Sequence, residues 1–220
     1  MSHSEAVYNR IAELGIVAGM RGPFGPDVAL EVTGALLEAE LNVFEFTMNS
    51  EQPLEAMQAV KAEHGDAVFA GMGTVLSVAE AQRVIDAGAD FIVSPAFQPE
   101  VVQTVLEAGL LIAPGVTTPS EAVAAWGMGV PLLKLFPVGA LGVDYFKAMY
   151  GPLSHMKFMC NGAMNQENAR AFIQAGAVAV GMGSWLTGTG SSPLESIRAR
   201  ATTLKTTVTR AKTNDITTHV

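Results

Sequence analysis

The sequence predicts an α/β protein, a single (β/α)8 TIM barrel with an extra N-terminal helix. Three observations predict it. Short apolar runs alternate with longer amphipathic ones along the chain, as strand–helix units do. Eight such runs recur, with starts about 20 to 25 residues apart, the length of one strand–helix unit. The runs are apolar throughout, as parallel strands covered on both faces require. Eight near-equal units favour closure into a barrel. An open doubly wound sheet is the alternative, and the lack of a GxGxxG after the first run speaks against it.

The elements follow in order. MSHSEAVYNRIAELG precedes the first strand and supplies the extra helix; its charges sit where a signal peptide needs an apolar core. The strands are GIVAG (15–19), NVFEF (42–46), AVFAG (67–71), DFIVS (90–94), LLIAP (110–114), PLLKLF (131–136), MKFMC (156–160) and AVAVG (177–181). Helical segments such as DVALEVTGALLEAE, SVAEAQRVIDAG, PEVVQTVLEAG, PSEAVAAWG and QENARAFIQAG lie between them. Several open on Ser, Asp, Asn or Pro and close at Gly. AGADFIVSP (87–95), AGLLIAPG (108–115) and AGAVAVGMG (175–183) repeat one plan: helix end, buried strand, small-residue turn. No linker or second domain interrupts residues 1–205. The stretch TTLKTTVTRAKTNDITTHV turns polar, so the last helix is expected to fray into a tail over 206–220.

Composition narrows the function classes. Hydrophobic residues make up 49% of the chain and charged ones 15%, enough for a large core without staples. A net charge of -8 argues against a nucleic-acid or anionic-membrane surface, while leaving room for a local anion site. The single Cys160 forms no internal disulfide pair and fits a reducing compartment. No run is long enough to span a bilayer. The expectation is a cytoplasmic protein.

In a barrel of this kind chemistry gathers where strands end and βα loops begin. Lys134 sits near the end of the sixth strand, between Leu133 and Leu135 and just before Phe136 and Pro137. A lysine there either snorkels out, pairs with an acid from another strand, or serves as an amine in a partly dry mouth. Such an amine can attack a carbonyl and form a Schiff base. Glu45 ends the second strand, again among apolar residues. It reads as a buried partner of Lys134 or as a general acid/base, and one geometry serves both.

Arg21, in GMRG after the first strand, is either a solvated loop residue or a bidentate clamp on a carboxylate. Thr74 closes GMGT after the third strand, where Gly71 and Gly73 would let backbone approach a ligand; a plain tight turn is the alternative. Pro95 ends the fourth strand's repeat and Phe136 the sixth strand. CNGAM (160–164) and GMGSW (181–185) end the seventh and eighth strands, where loops often bind phosphate through backbone N–H groups. Gly162, Ala163, Gly183 and Ser184 are the candidates. No metal is expected: His3 and His219 are terminal, His64 and His155 lie far from the strand ends, and Glu45 is almost alone there as an acid.

These segments together resemble the class I 2-keto-3-deoxy-6-phosphogluconate (KDPG) / 4-hydroxy-2-oxoglutarate (KHG) aldolase family. The resemblance covers about residues 12 to 187 and rests on GIVAGMRG, FEFTMNS, AGMGTVLS, DFIVSPAF, IAPGVTTPSE, LLKLFPVGALG, FKAMYGPL and VGMGSWL, in the family's order. It implies that Lys134 forms the Schiff base, Glu45 shuttles protons, and Arg21 and Thr74 hold the pyruvyl carboxylate of a small keto-acid substrate. It implies no cofactor, and a barrel assembled as a homotrimer. Two departures bear on the substrate. The seventh strand of the family usually ends Thr-Gly-Gly; here it ends Asn161, Gly162, Ala163. The Asn49–Ser50 pair looks like the branch that cleaves the 6-phosphogalactonate epimer. Oxaloacetate decarboxylation at the same lysine is a rival reaction, and a barrel that only binds a phosphorylated metabolite is a rival of another class.

Overall fold

The computed structural model describes residues 1–214. Helix α1 (His3–Leu14) comes first; Ser2 and Glu5 close its N-terminus as a reciprocal capping box, and Val7, Ile11 and Leu14 face the core. Then β1 (Ile16–Met20), α2 (Pro26–Leu37), β2 (Val43–Thr47), α3 (Pro53–His64), a 3-10 turn (Gly65–Ala67), β3 (Phe69–Gly73) and α4 (Val78–Asp86) follow. Next come β4 (Phe91–Val93), α5 (Pro99–Glu107), β5 (Leu111–Ala113), β6 (Gly115–Val116), α6 (Pro119–Gly127) and β7 (Leu133–Leu135). The short α7 (Val138–Leu141) leads to α8 (Val143–Tyr150), β8 (Phe158–Asn161), α9 (Gln166–Gln174), β9 (Ala179–Met182), α10 (Ser184–Thr187) and α11 (Leu194–Asn214).

All strand pairs are parallel, in the order β5-β4-β3-β2-β1-β9-β8-β7-β6. The two ends of that order, β5 and β6, are halves of one segment interrupted at Pro114. Its first half pairs with β4 and its second half with β7, and Lys134 N–H donates to Pro114 O at 2.9 Å. The sheet thereby comes round on itself as a nearly closed barrel of eight strand segments, as the spacing predicts. Observed strands lie one or two residues C-terminal to several of the predicted starts; at β1 the reason is that Gly15 still caps α1.

The barrel wall and the helix ring form one core, with aromatic cross-packing of Phe146, Phe158 and Phe172 under α8 and α9. Helix α1 packs against β5 and β9. Beside it, buried Asp90 accepts from Ala70 N–H at 2.8 Å and pairs with Lys61 at 2.7 Å, so its charge is balanced.

One boundary differs from the sequence reading. Helix α11 runs on through Asn214 where a polar tail was expected from 206, and Leu204, Val208 and Ala211 are buried against the barrel's helices. Its threonines mask a 3–4-residue apolar stripe, and Lys212 reaches the Ala12 and Glu13 carbonyls at the C-terminus of α1. Burial pushes the Lys212 ammonium below its ordinary pKa. Residues 215–220 of the expected tail lie outside the described residues. No described helix is long and apolar enough to cross a membrane.

Candidate active site

Strand alternation places the polar side chains. Glu45 and Thr47 are two apart on β2 and share a face, while Phe44 and Phe46 turn the other way into the layer between wall and helices. Lys134 on β7 and Asn161 on β8 also point into the barrel mouth. Together they line a cavity of about 350 Å³ with Arg21, Phe136, Gly162, Ala163, Gly183 and Ser184. The chain ends of five strands thus meet where the sequence placed the chemistry.

The centre of the cavity wall is an ion pair. Lys134 Nζ lies 3.7 Å from Glu45 Oε1, and both side chains are about 95% buried (4% and 5% exposed). A charge-assisted hydrogen bond would be about 2.7–2.9 Å, so the two groups are close without being locked together. The Phe136 ring lies 5.2 Å from Nζ, a cation–π distance.

Glycines make the room. A Cβ on Gly73 would overlap Glu45 Oε1, and one on Gly181 would overlap the Asn161 carboxamide. A Cβ on Gly71 would meet the Phe91 ring. The space at Gly71 and Gly73 is therefore filled by the protein's own side chains, and not left for a ligand to approach the backbone.

Thr74 and Pro95 stand apart from the cavity wall. Thr74 follows Gly73 with φ of 61°, a left-handed conformation unfavourable for a β-branched residue, and its buried Oγ1 has no hydrogen-bond partner among the described residues. Pro95 packs its backbone where a side chain on Gly115 would go, so it braces the β5–β6 segment. Arg21 is exposed at the mouth, and among the described residues no carboxylate lies in ion-pair range of it. Ala163 also has a positive φ, 51°, after Gly162 at 97°. Asn168 Nδ2 donates to the Ala163 carbonyl at 2.9 Å and holds that turn. Asn161 is buried, and its Oδ1 has no partner among the described residues.

Thr47, Met164 and Trp185 line the cavity and were missed in the sequence. Thr47 carried a signal, its i+2 spacing from Glu45; the other two flank glycine loops where no periodicity applies. Cys160 is buried on the opposite face of β8 from Asn161. Burial pushes its thiol far above the ordinary range, which leaves it inert. Among the described residues no group of three His, Cys, Asp or Glu side chains is placed to hold a metal ion.

Residues 10–199 match the family model described as KDPG and KHG aldolase. The chain belongs to that family. This aldolase is therefore a lyase of the class I, pyruvate-dependent kind. It is 33% identical over 181 residues to a 2-dehydro-3-deoxy-6-phosphogalactonate aldolase of Escherichia coli (strain K12), covering 82% of this chain and 88% of the relative. A solved native KDPGal structure superposes with a TM-score of 0.81 at 28% identity, over 91% of this aldolase and 95% of that chain. KDPG aldolase from Legionella pneumophila, with pyruvate captured as a covalent carbinolamine intermediate, superposes with a TM-score of 0.76 at 25% identity, over 93% and 97%.

Proposed function

We propose that this aldolase cleaves a 2-keto-3-deoxy-6-phospho sugar acid to pyruvate and glyceraldehyde 3-phosphate through a Schiff base on Lys134. The observation that carries the reading is the buried amine 3.7 Å from a buried carboxylate in the wall of a cavity large enough for a six-carbon acid. Lys134 Nζ attacks the C2 carbonyl, and the carbinolamine loses water to give an iminium. Glu45, directly or through a water, takes the C4 hydroxyl proton. The C3–C4 bond breaks, its electron pair moves onto the iminium as an enamine, and the aldehyde leaves. Protonation at C3 and hydrolysis then release pyruvate and free the amine.

Arg21, with no carboxylate in reach among the described residues, binds the substrate carboxylate, and Thr74, which stands outside the cavity wall, turns its hydroxyl inward to donate to it when the mouth is occupied. Phe136 shapes the pyruvyl end, and Pro95 supports it from behind the wall through the β5–β6 segment that it braces. The phosphate lies between the two glycine loops, against the N–H groups of Gly162, Ala163, Gly183 and Ser184; the first N–H groups of a helix such as α10 have no intrahelical partner. Asn161 faces the middle hydroxyls. The reaction needs no metal and no further cofactor. The protein works as a cytoplasmic homotrimer, without nucleic acid or membrane.

A second reading has its own support. The Asn49–Ser50 pair and the Escherichia coli relative both favour the 6-phosphogalactonate epimer as substrate. One experiment tests both. Borohydride with pyruvate should add one reduced pyruvyl group on Lys134 and none in Lys134→Arg, whose guanidinium stays protonated. Turnover of the two C4 epimers, with and without phosphate, then assigns the substrate. An adduct on another lysine would sink the mechanism.

A further inference from the structure

Arg21 is exposed on a loop, yet a carboxylate clamp must be held still. The loop is fastened at one point. Gly22 N–H donates to Ser50 Oγ at 3.0 Å, and Glu51 N–H donates back to Gly22 O at 3.0 Å. Ser50 Oγ lies 2.8 Å from Thr47 Oγ1, and both hydroxyls reach the Met20 carbonyl, at 3.5 and 3.4 Å. The residues before and after Arg21 are thus bound to one hydroxyl pair. Thr47, the inner member of that pair, is 3% exposed and lines the cavity.

Two hydroxyl protons serve this cluster, and Gly22 N–H uses one lone pair of Ser50. If Ser50 donates to Thr47, Thr47 donates to Met20 O. If Thr47 donates to Ser50, Ser50 donates to Met20 O over the longer contact. Either way, removing the Ser50 hydroxyl strips Gly22 N–H of its partner and Thr47 of its neighbour. The Arg21–Gly22 peptide then loses the tie on its N–H and is held only through the Gly22 carbonyl, by Glu51 N–H, and through the Met20 carbonyl, by Thr47.

We propose that Ser50 is a positioning residue: with Thr47 it aims Arg21 at the substrate carboxylate. The proposal rests on the reading of Arg21 as the carboxylate clamp. Ser50 does not touch the reacting atoms. Its effect should therefore follow the ligand's carboxylate and not the keto group.

The test compares pyruvate with pyruvamide, its neutral carboxamide, by the concentration that gives half-maximal borohydride trapping on Lys134. The wild type should favour pyruvate, and Arg21→Ala should abolish that preference. Ser50→Ala should shrink it about tenfold, the scale of one lost hydrogen bond, with pyruvamide trapping unchanged. Ser50→Thr should restore it, and Ser50→Ala should have no further effect in the Arg21→Ala background. Should Ser50→Ala fail to fold, Ser50→Cys keeps the size, weakens the acceptor, and should give an intermediate preference. Equal loss for both ligands in the Ser50 variants, or none for either, overturns the positioning role while Arg21 stands. A preference that survives Arg21→Ala overturns the clamp and the positioning role together.

Discussion

At the scale of single residues, Glu45 and its glycine neighbour decide the chemistry. Glu45→Gln keeps shape and removes proton transfer, a contribution of roughly 10²- to 10⁴-fold. The expected result is a kcat lower by that factor with KM little changed. A near-normal kcat would reduce Glu45 to a structural partner of Lys134. Gly73→Ala attacks the same carboxylate from behind. Its methyl overlaps Glu45 Oε1, and the backbone of β3 is held between β2 and β4. The side chain has to move, so kcat should fall at least tenfold while overpacking costs about 1–3 kcal/mol in unfolding free energy. Normal kinetics in Gly73→Ala would mean that the carboxylate's place is not critical.

At the scale of elements, the β6–α6 junction ties a helix cap to the catalytic strand. Thr118 and Glu121 form a capping box, and the Glu121 carboxylate accepts from Thr117 N–H and Thr118 N–H at 2.9 and 2.8 Å. Thr117 Oγ1 donates to Phe136 O at 2.5 Å, and Tyr145 OH donates to Thr117 O. Thr118→Ala should cost about 1 kcal/mol of stability, the usual worth of an N-cap. The two backbone N–H groups hold the Glu121 carboxyl below its ordinary pKa. The folded value is depressed, so its stabilisation is present above the unfolded carboxyl's pKa and is lost as pH falls through the folded one. Glu121 is exposed and screened, so Glu121→Gln should lower stability by less than about 1 kcal/mol at neutral pH. The gap to wild type should close in acid, as denaturant unfolding across pH would read. A gap that widened in acid would contradict the cap's sign.

At the scale of the whole molecule, α11 joins the two ends of the barrel's helix ring, packing against α2 and α9. Val208 is fully buried beside Gly15, and Ala211 beside it. A polar tail would tolerate Val208→Asp. A packed helix would lose the valine's burial, roughly 1.5–3 kcal/mol, and would bury an unpaired carboxylate as well. The expected result is a fall in Tm of several degrees with the barrel site still competent at low temperature. An unchanged Tm would return residues from 206 onward to the tail.

The sequence by itself determined the barrel and the strand ends that carry its chemistry. Apolar runs, Gly-ended helices and the Lys134 and Glu45 anomalies are local patterns, and a local pattern survives in one dimension. Thr47 was legible too, had the two-residue period from Glu45 been followed to the end of the strand. Tertiary structure alone decided the rest. Closure through the split segment at Pro114 sets the register that brings Glu45 to Lys134. The space above Gly73 and Gly181 belongs to side chains from neighbouring strands, so it cannot be read beside the glycines themselves. The positive φ of Thr74 and Ala163 is imposed by loops that the barrel holds in place. Helix α11 hid its buried face among threonines, because a side chain of middling polarity takes its role from what it packs against.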